Sequence, residues 1–314
     1  MFTVVGEALV DLVQHKDRRA DYSAHAGGSP FNVAITLGRL GQQVSLVARS
    51  GRDAFGRMLE EKARESGVSF DRWQIVDEPT SLAVASLDPR GGATYDFYLD
   101  STAGLAWDDS LVDLVPMGGV LHLGSLASWR PPSGPVLQAV QRRAYESGTT
   151  LVSYDPNVRP ALIANPDAAR ASIERCISAA HLVKASDEDV AYLYPGVDLV
   201  EVAKRWCGLG ACLVVVTLGG EGAVAFGRDG EVARRPGERI TVADTVGAGD
   251  SFAGGLLAAL ADVQLTTPAA LAAADGDTVG VAVAQAVLVS AITCERTGAN
   301  PPTRAELEAR RLSR

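Results

Sequence analysis

The sequence predicts an α/β fold: a parallel sheet covered by helices, with a small antiparallel sheet standing apart as a lid. Three observations carry this. Short β-branched runs alternate with Ala- and Leu-rich helical stretches along most of the 314 residues. Two segments, 9–26 and 81–100, break that rhythm by alternating apolar and polar residues. No internal repeat and no long linker interrupts the chain, so a single large unit fits. Residues 1–8, 27–80 and 101–314 then form the core, and 9–26 with 81–100 form the lid.

In chain order, the first β-branched run, 2–5, is a sheet strand, and the alternating 9–26 follows it. Ser29 as N-cap, Pro30 at the first helical position and Gly41 as the stop define a helix at 30–40. A strand at 44–48 and a helix at 55–66 come next. SLAVASLD and ATYDFYLD flank a turn at 89–92 and read as a hairpin. Strands at 119–123, 150–155, 182–184 and 212–217 are each preceded or followed by helical stretches, at 134–147, 167–179, 187–194 and 199–209. Helices at 249–262, 268–274 and 277–293 close the chain.

Composition excludes several classes of function. Apolar residues make up 47% and charged residues 21%, which is globular, and the net charge of −9 gives no counterion-release affinity for nucleic acid. Cysteines 176, 207, 212 and 294 show no C-x-x-C spacing and no neighbouring histidine cluster, so buried free thiols in a reducing cytosol are expected. The N-terminal segment lacks a basic n-region, and the apolar run 279–292, interrupted by Gln285, is shorter than the roughly 18 residues of a membrane span. The expectation is a soluble cytoplasmic protein with neither membrane nor nucleic-acid partner.

Several motifs fail. Gly220-x-Gly222-x-x-Ala225 matches the dinucleotide fingerprint formally, but the residues after it alternate like a strand instead of opening a helix. No lysine follows a glycine, which excludes a P-loop, and neither G-x-S-x-G nor H-E-x-x-H occurs.

The informative stretch is 244–252, DTVGAGDSF, leading into an apolar helix. Two glycines at a helix start let bare amides converge on an anion, and the helix dipole adds partial positive charge there. Asp250, in the first turn, is placed to accept a hydroxyl proton during phosphoryl transfer. Taken alone, the same residues also read as a turn with an acidic helix cap. A second pair, Gly27-Gly28, opens the helix that carries Asn32, and its amides with that carboxamide suit sugar hydroxyls. Asp11 alone reads equally as a solvated strand charge. Asp155-Pro156-Asn157-Val158-Arg159 ends a central strand, where open α/β sheets place ligands, and the Arg159 fork suits a phosphate or another charged substrate group.

These pieces, in this order, resemble the ribokinase-like sugar kinases of the PfkB carbohydrate kinase family. The resemblance spans nearly the whole chain: GEALVD, GGSPFNVA, GRDAFG at 51–56, DPNVRP, TLGGEGA at 217–223 and DTVGAGDSFAGG at 244–255. It implies an ATP-dependent kinase with a three-layer α/β/α core and a β-sheet lid. By resemblance, Asp250 is the catalytic base, the amides of Gly247, Ala248 and Gly249 form the anion hole, and Arg159 assists catalysis. Asp11, Gly27, Gly28, Asn32 and Asn157 fall among the sugar ligands. Thr217, Gly219 and Gly222 fall on the nucleotide loop, and Lys184 and Ser186 lie beside the phosphates. Where the family often has Asn-x-x-Glu for its magnesium–water network, this chain has Ser186-Asp187-Glu188-Asp189, which offers Asp189 as the replacement. ITCERTGANPP resembles the adenine-side flap and, in some members, a potassium loop.

Within the family, the lid selects the sugar. Alternation puts Tyr95, Phe97 and Leu99 on one face, as a wall for the carbon side of a sugar or as simple lid packing. Kinases of 2-keto-3-deoxygluconate tend to present an Arg near Leu99, and this chain has none between Arg90 and Arg130. The expected reaction is D-fructose to fructose 6-phosphate with ATP and Mg2+, with K+ as a further cation, in a chain most similar to bacterial fructokinases. The alternatives are 2-keto-3-deoxygluconate, which Arg159 would also serve, and a ribose or nucleoside acceptor. A homodimer through the lid is the expected assembly. Two rivals from other classes are an idle sugar-binding regulator, which would be expected to lack Asp250, and a nicotinamide enzyme resting on the faulty fingerprint.

Overall fold

The computed structural model describes residues 1–15, 17–18, 20–87 and 93–313. Its strands are β1 (Phe2–Val5), β2 (Leu9–Gln14), β3 (Tyr22–Gly27), β4 (Val44–Gly51), β5 (Trp73–Val76), β6 (Ser81–Leu87), β7 (Ala93–Tyr98), β8 (Gly119–Gly124), β9 (Thr150–Asp155), β10 (Leu182–Ser186), β11 (Leu213–Thr217), β12 (Ala223–Gly227) and β13 (Gly230–Arg235). The helices are α1 (Ser29–Arg39), α2 (Ala54–Glu65), α3 (Ser125–Trp129), α4 (Ser133–Glu146), α5 (Pro166–Ile177), α6 (Asp187–Leu193), α7 (Leu199–Leu209), α8 (Ala248–Asp262), α9 (Pro268–Ala272), α10 (Gly276–Cys294) and α11 (Arg304–Leu312). The six sheet strands expected from sequence are all present, within a few residues of their expected ends.

The described residues form a nine-stranded sheet, in order β13-β12-β11-β10-β9-β8-β1-β4-β5, and a separate four-stranded sheet, β3-β2-β6-β7. The large sheet is parallel from β5 to β11, and β12 and β13 add antiparallel at one edge. That antiparallel return from β11 to β12 is why the glycine fingerprint at 220–225 opens no dinucleotide-binding helix. Apolar side chains fill both faces: α1, α8 and α10 cover one, and α3, α4, α5 and α7 the other. This is the ribokinase-like α/β/α sandwich that the resemblance implied.

The small sheet is built from the two alternating segments. Strands β6 and β7 pair antiparallel as a hairpin, and its expected turn at 89–92 lies outside the described residues.

Helix α8 sits at the centre of one layer, with every residue from Asp250 to Leu260 buried. It fits because of its glycines. A Cβ on Gly254 would lie 2.6 Å from the Thr36 side chain of α1, and one on Gly255 would lie 2.9 Å from Val289 of α10.

Four expectations need correction. Ser29 is not the N-cap of α1: Gly28 takes that position at φ 100° without a side-chain cap, and the serine hydroxyl is used elsewhere. The apolar run that looked too short belongs to α10, which has 19 residues and a mean hydropathy of 1.6 and so meets the length and composition of a membrane span. Two-thirds of it is buried against the core, however, and a core helix passes the same test. Of the four free cysteines, Cys176 and Cys207 are buried, whereas Cys212 and Cys294 are only partly so. Leu99 lies one residue beyond the end of β7 and is buried in the cluster that holds Leu9 and Ala83, not exposed as a wall for a ligand.

Candidate active site

The N-termini of α1 and α8 meet at one place, beside the C-terminal ends of β1, β8 and β9. Gly247 starts α8 in the left-handed region at φ 74°, and a Cβ there would lie 2.5 Å from that of Ala299. Only glycine holds this turn without strain. Among the described residues the N–H groups of Gly247 and Gly249 have no protein acceptor, while Ala248 donates to the Thr245 carbonyl at 3.2 Å. The cradle therefore has two open glycine amides, and the third amide expected from sequence is already engaged.

Asp250 follows in the first turn of α8 and is buried. Its Oδ1 accepts the Ser29 hydroxyl at 2.6 Å, and its Oδ2 accepts Asn32 Nδ2 at 2.8 Å. Asn157 Nδ2 approaches Oδ1 at 3.5 Å. The carboxylate is thus aimed by α1 from one side and by the β9 end from the other.

Asp11 joins this cluster from the small sheet. A Cβ on Gly27 would lie 2.2 Å from Asp11 Oδ2, so the glycine makes room for the carboxylate. Burial, with Asp250 nearby, raises the Asp11 pKa to about 6, and the Arg159 guanidinium opposes that rise. A free strand charge would show no such shift. Arg159 is exposed and donates to Asn157 Oδ1 at 2.6 Å, standing at the mouth of the cluster.

Strand register defines the face that carries Asp11. Pairing places Leu9, Asp11, Val13, His25, Gly27, Ala83, Ala85, Tyr95 and Phe97 together, and Val10, Leu12, Ala24, Ala26 and Leu82 on the other side, packed on the α2 layer. Tyr95 and Phe97 stack at 6.2 Å between ring centroids, with Tyr95 53% exposed, so the wall is available to a ligand. Among the described residues, this face carries no lysine or arginine.

The β9 and β10 ends carry a buried ion pair and a capped helix start. Lys184 does not project toward open solvent: it is 5% exposed, and its Nζ binds Asp155 Oδ2 at 2.9 Å. Burial pulls the ammonium down, but Asp155, Asp189 and Asp250 outweigh it and hold its pKa above the usual value. Burial likewise raises the Asp155 pKa to about 6 against the pull of Lys184. Ser186 caps α6, accepting the Asp189 amide at 3.0 Å. Asp189 returns the bond to the Ser186 amide at 3.0 Å and accepts Val158 N–H at 2.8 Å with its other oxygen. Both residues hold the backbone together, and Asp189 reaches a cation only through whatever lone pairs those bonds leave.

Thr217 ends β11, and Gly219 and Gly222, at φ 54° and 103°, form the turn after it. Gly222 packs so closely on Arg235 that a Cβ would lie 2.1 Å from its carbonyl oxygen, which fixes the loop against β13. The 297–300 stretch lies against the α8 cradle: Gly298 N–H donates to Asp244 Oδ2 at 2.8 Å, beside the Gly247–Ala299 contact. Among the described residues no three His, Cys, Asp or Glu side chains gather to hold a metal. The oxygen donors of the α6 first turn, Asp187, Glu188 and Asp189, are of the type that meets the waters of a Mg2+ carried on nucleotide phosphates.

Four residues here were missed from sequence. Ser29 was read as a cap and Asp155 only as part of a strand end, and His25 was not singled out, although register sets it beside Asp11. Glu7, in the GEALVD opening, is buried with its pKa raised to about 7 by desolvation, and it accepts Ala127 N–H at 3.1 Å.

The profile of pfkB family carbohydrate kinases matches residues 1–306. A fructokinase of Rhizobium leguminosarum bv. trifolii is 36% identical over 278 residues, covering 88% of this chain and 84% of that protein. The structure of a Xylella fastidiosa fructokinase with bound ATP superposes with a TM-score of 0.88 at 29% identity, covering 100% of this chain and 99% of that one. A fructokinase variant of Vibrio cholerae O395, in a fructose-, ADP- and potassium-bound form, gives a TM-score of 0.84 at 28% identity over 98% of this chain and 97% of its own.

Proposed function

The chain belongs to the pfkB family of carbohydrate kinases, and from that premise we infer that it is an ATP-dependent fructokinase, transferring the γ-phosphoryl group of ATP to D-fructose to give fructose 6-phosphate. The observation that carries the catalytic reading is the convergence on one point of the Asp250 carboxylate, the two open amides of Gly247 and Gly249, and Asp11. Asp250 takes the proton of the attacking hydroxyl as its oxygen bonds to the γ-phosphorus and the bond to the bridging oxygen of ADP breaks. The glycine amides and the α8 dipole receive the charge on the migrating group, and Arg159 adds its cation at the mouth. Asp11, Asn32 and Asn157 hold sugar hydroxyls, and Tyr95 and Phe97 cover the carbon face.

Thr217, Gly219 and Gly222 hold the nucleotide on the β11 side. Mg2+, when bound with ATP, neutralises phosphate charge, and the first turn of α6 is the protein surface for its waters. The segments joined by the Asp244–Gly298 bond are the place for K+, a reading supported by the potassium in the Vibrio cholerae fructokinase structure. The four-stranded sheet acts as the lid, shielding transfer from water. Its edge strands β3 and β7 are the surface by which a second copy would dock. Use of ATP and free thiols suit a cytoplasmic enzyme.

A neutral sugar is favoured because, among the described residues, the face carrying Asp11 has no lysine or arginine to meet a carboxylate. The test is ADP release over a panel of fructose, 2-keto-3-deoxygluconate, ribose and a nucleoside, with the phosphorylated position identified by NMR. Fructose 6-phosphate as the main product is expected. Preferred turnover of the acid or the riboside would replace the fructose reading, and release with none of them would refute it.

A further inference from the structure

We propose that the buried Lys184–Asp155 pair is a positioning device for Asp250, acting through the Asn157 turn and through the first turn of α8. The inference rests on the assignment of Asp250 as the base and makes a separate claim about two residues that need not touch either substrate.

Three contacts connect the pair to the carboxylate. Asp155 Oδ2 holds Lys184 Nζ at 2.9 Å, and its Oδ1 accepts the Asn157 amide at 3.0 Å. That second bond holds Asn157 at φ 39°, a backbone region a non-glycine residue keeps only when its surroundings fix it. From this turn the Asn157 carboxamide faces both ways, with Nδ2 3.5 Å from Asp250 Oδ1 and Oδ1 accepting Arg159 at 2.6 Å. The pair therefore sets the side chain that spans the base and the mouth arginine.

The second route is electrostatic. Lys184 Nζ lies 3.1 Å from where a Cβ on Gly249 would stand, so the ammonium sits directly behind the turn that carries the open amides and Asp250. The pull of three carboxylates outweighs burial and keeps the ammonium protonated, so a positive charge stands at that point. Both side chains of the pair are almost fully enclosed, and Asp155 holds the ammonium in place. A buried ion pair is an expensive way to stabilise a fold, and apolar residues of similar volume often serve as well. Its placement beside the reacting groups points to the geometry and field it supplies there.

The variants are Asp155→Asn, Lys184→Met and the double variant, which is neutral and close to the original volumes and so leaves no charge buried alone. Steady-state kinetics in both substrates and circular-dichroism melting are measured for each. The expected result is folded protein whose kcat falls tenfold or more while KM for sugar and for ATP stay within about threefold, a split that general destabilisation would not produce. A folded variant with kcat within twofold of wild type overturns the proposal. So does a rise in KM for ATP at unchanged kcat, which would put Lys184 at the phosphates. A double variant that does not fold also overturns it, since the pair would then serve the fold. If the wild-type chain prefers another sugar, the fructose reading fails and this test is run unchanged on that sugar.

Discussion

Replacing Asp250 by asparagine separates the chemistry of the site from its architecture. The carboxylate accepts Ser29 Oγ at 2.6 Å and Asn32 Nδ2 at 2.8 Å. An amide keeps one acceptor, which must face Asn32 because that side chain presents an N–H, and its own NH2 then faces the Ser29 hydroxyl, which can turn and accept. Both contacts survive with reversed polarity on one side, so the cost is the difference between charged and neutral hydrogen bonds, about 1 kcal/mol. That lowers the melting temperature by a few degrees at most. The same change removes the group assigned to take the hydroxyl proton, and loss of a general base costs roughly 10²–10⁴ in rate, or about 3–5 kcal/mol of barrier. The kinetic effect therefore exceeds the structural one several-fold. In an ADP-release assay with thermal melting alongside, Asp250→Asn is expected to keep ATP binding and its fold while losing at least 99% of turnover. A kcat within threefold of wild type would refute the reasoning.

Two further substitutions test the supports of the site. Gly247→Ala forces a side chain into the left-handed turn and onto Ala299; the conformation alone costs about 1–2 kcal/mol, and the expected outcome is a lower melting temperature with a larger loss of kcat than of sugar affinity. Unchanged kinetics would show that the turn tolerates a Cβ and that its amides are not the anion cradle. Glu7→Gln tests a buried carboxyl whose native pKa, about 7, stands above its ordinary 4.5. A raised acid contributes stability that is fully present below 4.5 and lost as pH rises through 7, a swing of about 3 kcal/mol at this one site. The melting temperature of the variant, relative to wild type, is therefore expected to rise by several degrees between pH 5 and pH 8. An equal difference at both pH values would contradict it.

Much of this site was legible in the sequence because its chemistry is local. Gly247, Gly249 and Asp250 stand within four residues of one another, and Gly27, Gly28 and Asn32 within six. A turn followed by a helix start carries its own signal. The four-stranded sheet was legible for the same reason, since period-two alternation inside α/β sequence marks strands that pair with one another. What escaped depends on contacts between distant segments. Ser29 sits where a cap belongs, and only the meeting of two distant helix starts turns its hydroxyl to Asp250, 221 residues away. Lys184 was placed beside the phosphates by resemblance alone, and nothing local reveals its ion pair with Asp155 on the neighbouring strand. His25 gained a neighbour only through the β2–β3 register. The C-terminal helix Arg304–Leu312 was different: its capping box of Thr303 and Glu306 is a sequence signal that went unread.

Substrate choice is tested most directly by comparing kcat/KM for D-fructose and 2-keto-3-deoxygluconate under identical ATP and Mg2+. The lid face offers the acid no lysine or arginine among its described residues, and Arg159 is already needed beside the phosphoryl group, so a buried carboxylate there would stand unpaired. The predicted ratio exceeds about tenfold in favour of fructose, a difference of ~1.4 kcal/mol in transition-state binding. A ratio below one would mean that a cation reaches the sugar pocket from outside this face, and the fructokinase reading would be contradicted.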